Sequence, residues 1–236
     1  MIVTAGRRDE LAASLGEVRE RIARACAAAD RPAEDVTLVA VTKTYPASDV
    51  VLLAGLGVTD VGENRDQEAA PKAAATRAEG ATPRWHFIGR LQRNKARSVV
   101  GYADVVESVD SMRLASALGT AAADREAPLE VLVQVSIDGD QSRGGAAGDD
   151  LWRISDAVAA SSSLRLGGLM AVAPLGWDPD RAFEQLALLS GRLVASHPAA
   201  TAISAGMSGD LEAAVRHGAT HVRIGTSLLG MRNTLR

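Results

Sequence analysis

Four stretches of the chain place reactive or anion-binding groups just where an apolar run ends. The first is Lys43, which follows Val39 and Val41 at the close of the run 36–42. Side chains on a strand alternate faces, so residues 39, 41 and 43 share one. An ammonium in line with two valines is costly to desolvate, and such a site lowers the amine pKa and frees it to attack a carbonyl. A lysine that snorkels into solvent at the strand end is the competing reading, and spacing alone leaves both open.

The second stretch is Ser204-Ala205-Gly206-Met207-Ser208-Gly209-Asp210, where glycines flank hydroxyl residues at the start of a helical pattern. Free N–H groups and the helix dipole suit such a turn to an anion. Ser208 has a second reading as a helix N-cap, with Asp210 and Glu212 in the first turn disfavouring a phosphate. The third stretch is Arg223-Ile224-Gly225-Thr226, a glycine that lets backbone approach a ligand with a hydroxyl beside it. Val222 and Ile224 are expected to face helices, which turns Arg223 inward; its partner is then a carboxylate such as Glu63 or a ligand. The fourth is the set Glu63, Asn64 and His86, at or near the ends of two further runs.

Positioning these groups at one end requires a regular frame. Apolar β-rich runs fall at 36–42, 59–62, 85–89, 105–109, 130–136, 165–171, 200–204 and 221–225. Helical patterns at 64–79, 111–125, 149–160, 180–196 and 208–217 separate most of them, and a first helix spans roughly 9–29. About eight strand–helix units close a (β/α)8 TIM barrel, whose sites lie on the loops after the strands and whose phosphate sites often follow strands seven and eight. An open doubly wound sheet competes but needs a reversal of strand order. The expectation is one domain over residues 1–236 with an extra N-terminal helix. The segment 138–150 is rich in Gly, Asp and Ala and is expected to be a mobile loop.

Composition narrows the classes. Hydrophobic residues are 47% and aromatics 3%, so the core is aliphatic, as in α/β proteins. A net charge of −3 from 26 basic and 29 acidic residues gives no reason to expect nucleic acid. Arg84, Arg90, Arg93, Lys95 and Arg97 read as a solvated helix face. The one cysteine, Cys26, excludes an internal disulfide and a cysteine-based metal cluster; on the stripe Leu11, Leu15, Val18, Ile22, Cys26 it reads as a buried hydrophobe. Neither a signal-peptide pattern nor a span-length apolar stretch is seen, so a soluble cytoplasmic protein is expected.

Several longer motifs then align with a known family. Val39-Ala40-Val41-Thr42-Lys43-Thr44-Tyr45-Pro46, Gly62-Glu63-Asn64-Arg65-Asp66-Gln67-Glu68 and Trp85-His86-Phe87-Ile88-Gly89-Arg90-Leu91-Gln92-Arg93-Asn94-Lys95 resemble the first three motifs of the pyridoxal phosphate homeostasis proteins (the YggS/PROSC type). Gly168-Leu169-Met170, Gly206-Met207-Ser208-Gly209-Asp210 and Val222-Arg223-Ile224-Gly225-Thr226 complete the set in order. The chain departs from the usual pattern at Val61, Arg65, Arg93 and Ala205. The resemblance implies a barrel like the N-terminal domain of alanine racemase, fold type III, holding pyridoxal 5′-phosphate (PLP). Lys43 would form the Schiff base and Arg223 would approach the pyridine nitrogen. Ser204, Ser208, Gly225 and Thr226 would hold the phosphate, while Asn64, His86 and Met207 would line the pocket.

A permanently charged arginine opposes protonation of the ring nitrogen, which suits racemisation or exchange better than transamination or decarboxylation. A racemase also needs a second acid/base, and the chain has two tyrosines, Tyr45 and Tyr102, of which Tyr45 reads as structural. The expectation is therefore a monomeric carrier or buffer of PLP, not an enzyme, that passes the cofactor to apoenzymes. An amino-acid racemase and a PLP-free Schiff-base aldolase are the alternatives.

Overall fold

A computed structural model describes residues 2–230, with side chains from residue 6. The outer ends of the expected domain, Met1 and residues 231–236, lie outside the described residues. Eight strands are found: β1 (Thr37–Val41), β2 (Asp60–Glu63), β3 (Arg84–Phe87), β4 (Val105–Val109), β5 (Leu129–Gln134), β6 (Leu164–Met170), β7 (Ala202–Ser204) and β8 (His221–Ile224). They pair in parallel and in chain order, and β8 pairs back to β1 to close the barrel. The open-sheet alternative is thereby excluded.

The helices are α1 (Ile2–Ala28), α2 (Ala47–Gly55), α3 (Asp66–Ala78), α4 (Ala96–Val100), α5 (Met112–Ala121), α6 (Asp149–Ala159), α7 (Pro179–Ser196), α8 (Leu211–Arg216) and α9 (Thr226–Leu229). Local signals set several ends. Ser111 caps α5 by accepting the Leu114 N–H, and Asp178 caps α7 just before Pro179.

Helix α1 begins seven residues before its expected start at Asp9. Asp9 is no cap; the helix continues toward the N-terminus, and Arg7 fastens it to Asp49 of α2 at 2.8 Å. The stripe Leu11, Leu15, Val18, Ile22 and Cys26 is buried as expected. It packs against α2, α8 and α9. Since α9 has only four residues, α1 covers the wall between β8 and β1 that a longer eighth helix would otherwise close. Arg21 grips Glu212 of α8 at 2.6 and 2.8 Å, fixing this cover.

Most aliphatic packing lies between strands and helices, in two large clusters. Inside the barrel the aliphatic side chains include Val39 and Val41 of β1, which border Gly62, and the small cluster Val105, Leu132 and Met170 with Ala202 against it. Buried polar side chains share that interior.

One further expectation changes. The basic run 84–97 is no single helix face: Arg84 is on β3, residues 93–95 form a 3-10 turn, and Arg97 is on α4. The segment 138–150, expected to be a mobile loop, contains a 3-10 turn at Gln141–Arg143 and leads into α6. Within it Arg143 bonds Asp138 at 2.6 Å, and Ala146 donates to the Gln134 carbonyl at 2.7 Å.

Candidate functional site

A chain of hydrogen-bonded side chains crosses the barrel interior. Arg223 of β8 donates from Nη1 to Ser204 Oγ at 2.6 Å and from Nη2 to the Ala171 carbonyl at 2.8 Å. Ser204 of β7 donates to Glu107 Oε2 of β4 at 2.6 Å. Glu107 Oε1 lies 2.6 Å from His86 Nδ1 on β3, and His86 Nε2 lies 2.9 Å from Asp60 Oδ1 on β2. All five residues are buried. Strand alternation explains the set: Val222 and Ile224 face the helices, so Arg223 faces inward, as expected.

The electrostatics of the chain are self-consistent. Burial alone would lower the His86 pKa, but bonds to Asp60 and Glu107 raise it to about 9, so both ring nitrogens carry protons and donate. Burial alone would raise that of Glu107, yet His86, Arg223 and Ser204 hold it at about 2. Burial presses the Arg223 guanidinium down from its ordinary value while Glu107 holds it up, and arginine remains charged. Two cations and two anions therefore balance.

The partner of Arg223 is thus Glu107, acting through Ser204, and not Glu63. Glu63 has its own partners outside the barrel wall. It accepts from Lys72 Nζ of α3 at 2.7 Å and from Thr42 Oγ1 at 2.7 Å. Asp60, Glu107 and Lys72 escaped the sequence reading. The first two sit within runs that read as apolar, and Lys72 sits in an Ala-rich helix where it reads as a surface lysine. A carboxylate at an inward position in the middle of a strand was the available signal for Glu107.

Lys43 is exposed, and the strand before it ends at Val41. The reading that put it in line with the valines on a buried face does not hold. Residues 43 and 44 form a turn in which Thr44 takes φ 70°. Lys43 follows the C-terminal end of β1, at the barrel mouth. Beside it, β8 is the immediate neighbour of β1, with Val39 paired to Arg223. A Cβ built on Gly225 would lie 3.4 Å from both Val41 Cβ and its carbonyl oxygen, so the start of α9 abuts the end of β1. Thr226 and Ser227 open that helix, and as its first two positions their N–H groups have no intrahelical acceptor, while Leu228 and Leu229 donate to the Gly225 carbonyl.

The other expected residues divide. Asn64 follows β2 at the mouth, half-buried. Its backbone is approached so closely by Gly89 that a Cβ there would sit 2.1 Å from the Asn64 carbonyl oxygen. Met207 and Ser208 lie in the loop before α8, Met207 exposed and Ser208 half-buried. The helix starts two residues later than the N-cap reading of Ser208 requires. Asp210 instead accepts the Met207 N–H at 2.6 Å, which occupies one amide of that turn. Gly206, at φ 89° and with its Cβ position 2.6 Å from Ala214, lets the turn pack against α8. Ser204 and His86 do not reach the mouth; their polar atoms are engaged in the interior chain. A cleft of about 990 Å³ opens beside the mouth, with Asn64, Arg65, Arg90, Arg93 and Arg113 among its lining.

An exposed amine, an inward guanidinium, first-turn amides and a glycine approach on two adjoining strands suit a ligand bearing an aldehyde and a phosphate. The barrel with this mouth defines a class, and comparison with known proteins identifies it. The model of the alanine racemase N-terminal domain matches residues 13–233. A pyridoxal phosphate homeostasis protein of Mycobacterium leprae is 47% identical over 240 residues, covering 95% of this chain and 93% of its own. That of Escherichia coli K12 is 37% identical over 229 residues, covering 95% and 98%. The structure of PipY from Synechococcus elongatus PCC7942 with PLP bound superposes with a TM-score of 0.82 at 32% identity, covering 93% of this chain and 100% of that one. The chain belongs to the alanine racemase N-terminal domain family and, within it, to the pyridoxal phosphate homeostasis proteins.

Proposed function

We infer that this chain binds PLP reversibly at Lys43 and serves as a carrier or buffer of the cofactor, without a catalytic reaction of its own. The observation that carries the reading is the position of Lys43 just after β1, whose end adjoins the strand that bears Arg223 and Gly225. When bound, PLP supplies an aldehyde that an amine takes as a Schiff base with loss of water, and a ring that acts as an electron sink. Lys43 provides the amine. Arg223 would present a fixed positive charge toward the ring nitrogen, disfavour its protonation and so weaken the ring as an electron sink. Ser204 positions that guanidinium, in place of the phosphate role expected for it. Gly225, Thr226 and Ser208 would hold the phosphate, and Asn64 and Met207 would line the pocket beside the ring. His86 supports Arg223 from below through Glu107.

The carrier reading is favoured over a racemase by the tyrosines. The Tyr45 hydroxyl donates to the Gly230 carbonyl at 2.6 Å, which ties it to the residue that follows α9. Tyr102 is packed edge-on against Trp85, and burial pushes its hydroxyl above the usual range. Neither is poised as an acid at the mouth. Among the described residues no helix is long and apolar enough to cross a membrane. The reading is completed by a cytoplasmic place in vitamin B6 economy, one PLP-binding domain over residues 1–236, a monomeric state and transient contact with PLP-dependent apoenzymes.

The test is direct. Protein incubated with PLP turns yellow, and borohydride fixes the cofactor to Lys43 in a peptide map. Lys43→Ala stays colourless. Wild-type protein that remains colourless and unmodified ends the reading. A Schiff-base aldolase would lack the chromophore, and a racemase would exchange the α-proton of an amino acid with solvent.

A further inference from the structure

Three unfavourable features meet at the turn that carries Lys43. Thr44, a β-branched residue, takes φ 70°, a region such residues rarely adopt. Beneath it Lys72 and Glu63 form an ion pair at 2.7 Å with both side chains buried, and buried pairs contribute weakly to stability. Glu63 Oε2 is buried with no protein partner among the described residues, which adds a desolvation cost. Strain and buried charge kept together at one spot point to a function served there.

All three converge on the backbone either side of Lys43. Lys72 Nζ donates to the Thr42 carbonyl at 2.8 Å, to Glu63 Oε1 at 2.7 Å and to Glu68 Oε1 at 2.8 Å. Thr42 Oγ1 donates to the same Glu63 oxygen at 2.7 Å. Glu68 Oε1 also accepts the Thr44 N–H. The carbonyl before Lys43 and the amide after it are therefore both held by one turn of α3, through residues 68 and 72. With both flanking peptide units fixed, the Lys43 side chain is the free arm of the turn.

We propose that Lys72 and Glu68, anchored by Glu63, are positioning residues that hold the Thr42–Lys43–Thr44 turn in its strained form and so present the Lys43 amine to its aldehyde ligand. The nature of the ligand rests on the PLP reading; the clamp on the turn does not. A plain staple between α3 and the barrel would instead affect global stability without a specific effect on the turn.

The experiment uses the full chain and reads three quantities: amide hydrogen exchange of residues 42–46 without PLP, thermal stability, and PLP affinity with borohydride trapping. In Glu68→Leu, exchange at Thr44 rises by about tenfold or more while Tm moves by only a few degrees. PLP binding at Lys43 weakens by about tenfold. Glu68→Gln, whose amide oxygen still accepts the Thr44 N–H, retains most of both. Lys72→Met combined with Glu63→Gln, which strands no buried charge, loosens the turn in the same way. Thr44→Asn, which tolerates a positive φ, recovers part of the affinity lost in Glu68→Leu. Wild-type exchange and affinity in Glu68→Leu overturn the proposal, as does an affinity loss that only tracks Tm across these variants. If the wild-type chain takes no PLP at Lys43, the carrier reading falls, and Thr44 exchange still decides whether the clamp exists.

Discussion

Arg223 shows how one residue's role depends on a partner far away in sequence. Its inward direction follows from alternation along β8, which the sequence discloses. That Glu107 answers it follows only from barrel closure, which brings positions 107 and 223 within 3.9 Å. Ser204 is the link between them, so Ser204→Ala leaves Arg223 and Glu107 each short of a bond. The expected cost is about 1–3 kcal/mol of stability, measured by urea unfolding, with a weakened hold on PLP. Lys43 teaches the opposite lesson. Its candidacy as the reactive amine came from the motif around it. Its environment was not, because the strand stops two residues early at a turn with a positive φ that no strand pattern foretells.

Elements were more legible than their ends. All eight strands coincide with apolar runs, since strands covered on both sides must be aliphatic to be buried. Helix α4 and the 3-10 turn before it were read only as part of one basic helix face, because a five-residue helix carries too little periodicity to set its bounds. The loop after β3 makes a sharp demand on sequence. Gly89→Ala drives a methyl into the Asn64 carbonyl, and the backbone must shift. A loss of about 1–3 kcal/mol is expected in thermal unfolding, together with reduced PLP affinity because Asn64 moves. Helix α1 is a structural part of the barrel wall, so Leu15→Ala, at a side chain only 2% exposed, costs about 2–5 kcal/mol in denaturant titration.

For the molecule as a whole, the interior charges make stability depend on pH at both ends. The folded pKa of His86 is raised from 6.5 to about 9. Its contribution is complete below about pH 6.5 and fades as pH climbs through 9. The folded pKa of Glu107 is lowered from 4.5 to about 2. Its contribution is complete above about pH 4.5 and is lost as pH falls through 2. Urea unfolding across pH should therefore show a plateau between the two limits. The alkaline decline should be on the order of a few kcal/mol and should vanish in His86→Gln. Persistence of the same decline in that variant would remove His86 as its source.

The polar interior also bears on how the strands find their partners. The aliphatic runs of this barrel are similar to one another, and valine for valine they would tolerate a shifted alignment. Asp60, His86, Glu107 and Arg223 remove that freedom. Sliding any of their strands by one residue would turn a charge outward into the aliphatic layer beneath the helices and strand its partner inside. Four ionised side chains, whose mutual attraction offsets the cost of desolvating them, thus act as registration marks for the closed sheet. Replacing all four with apolar residues of similar volume should yield a chain that still collapses but gives broadened, multiple resonances for the barrel strands, the mark of a sheet that no longer settles on one alignment.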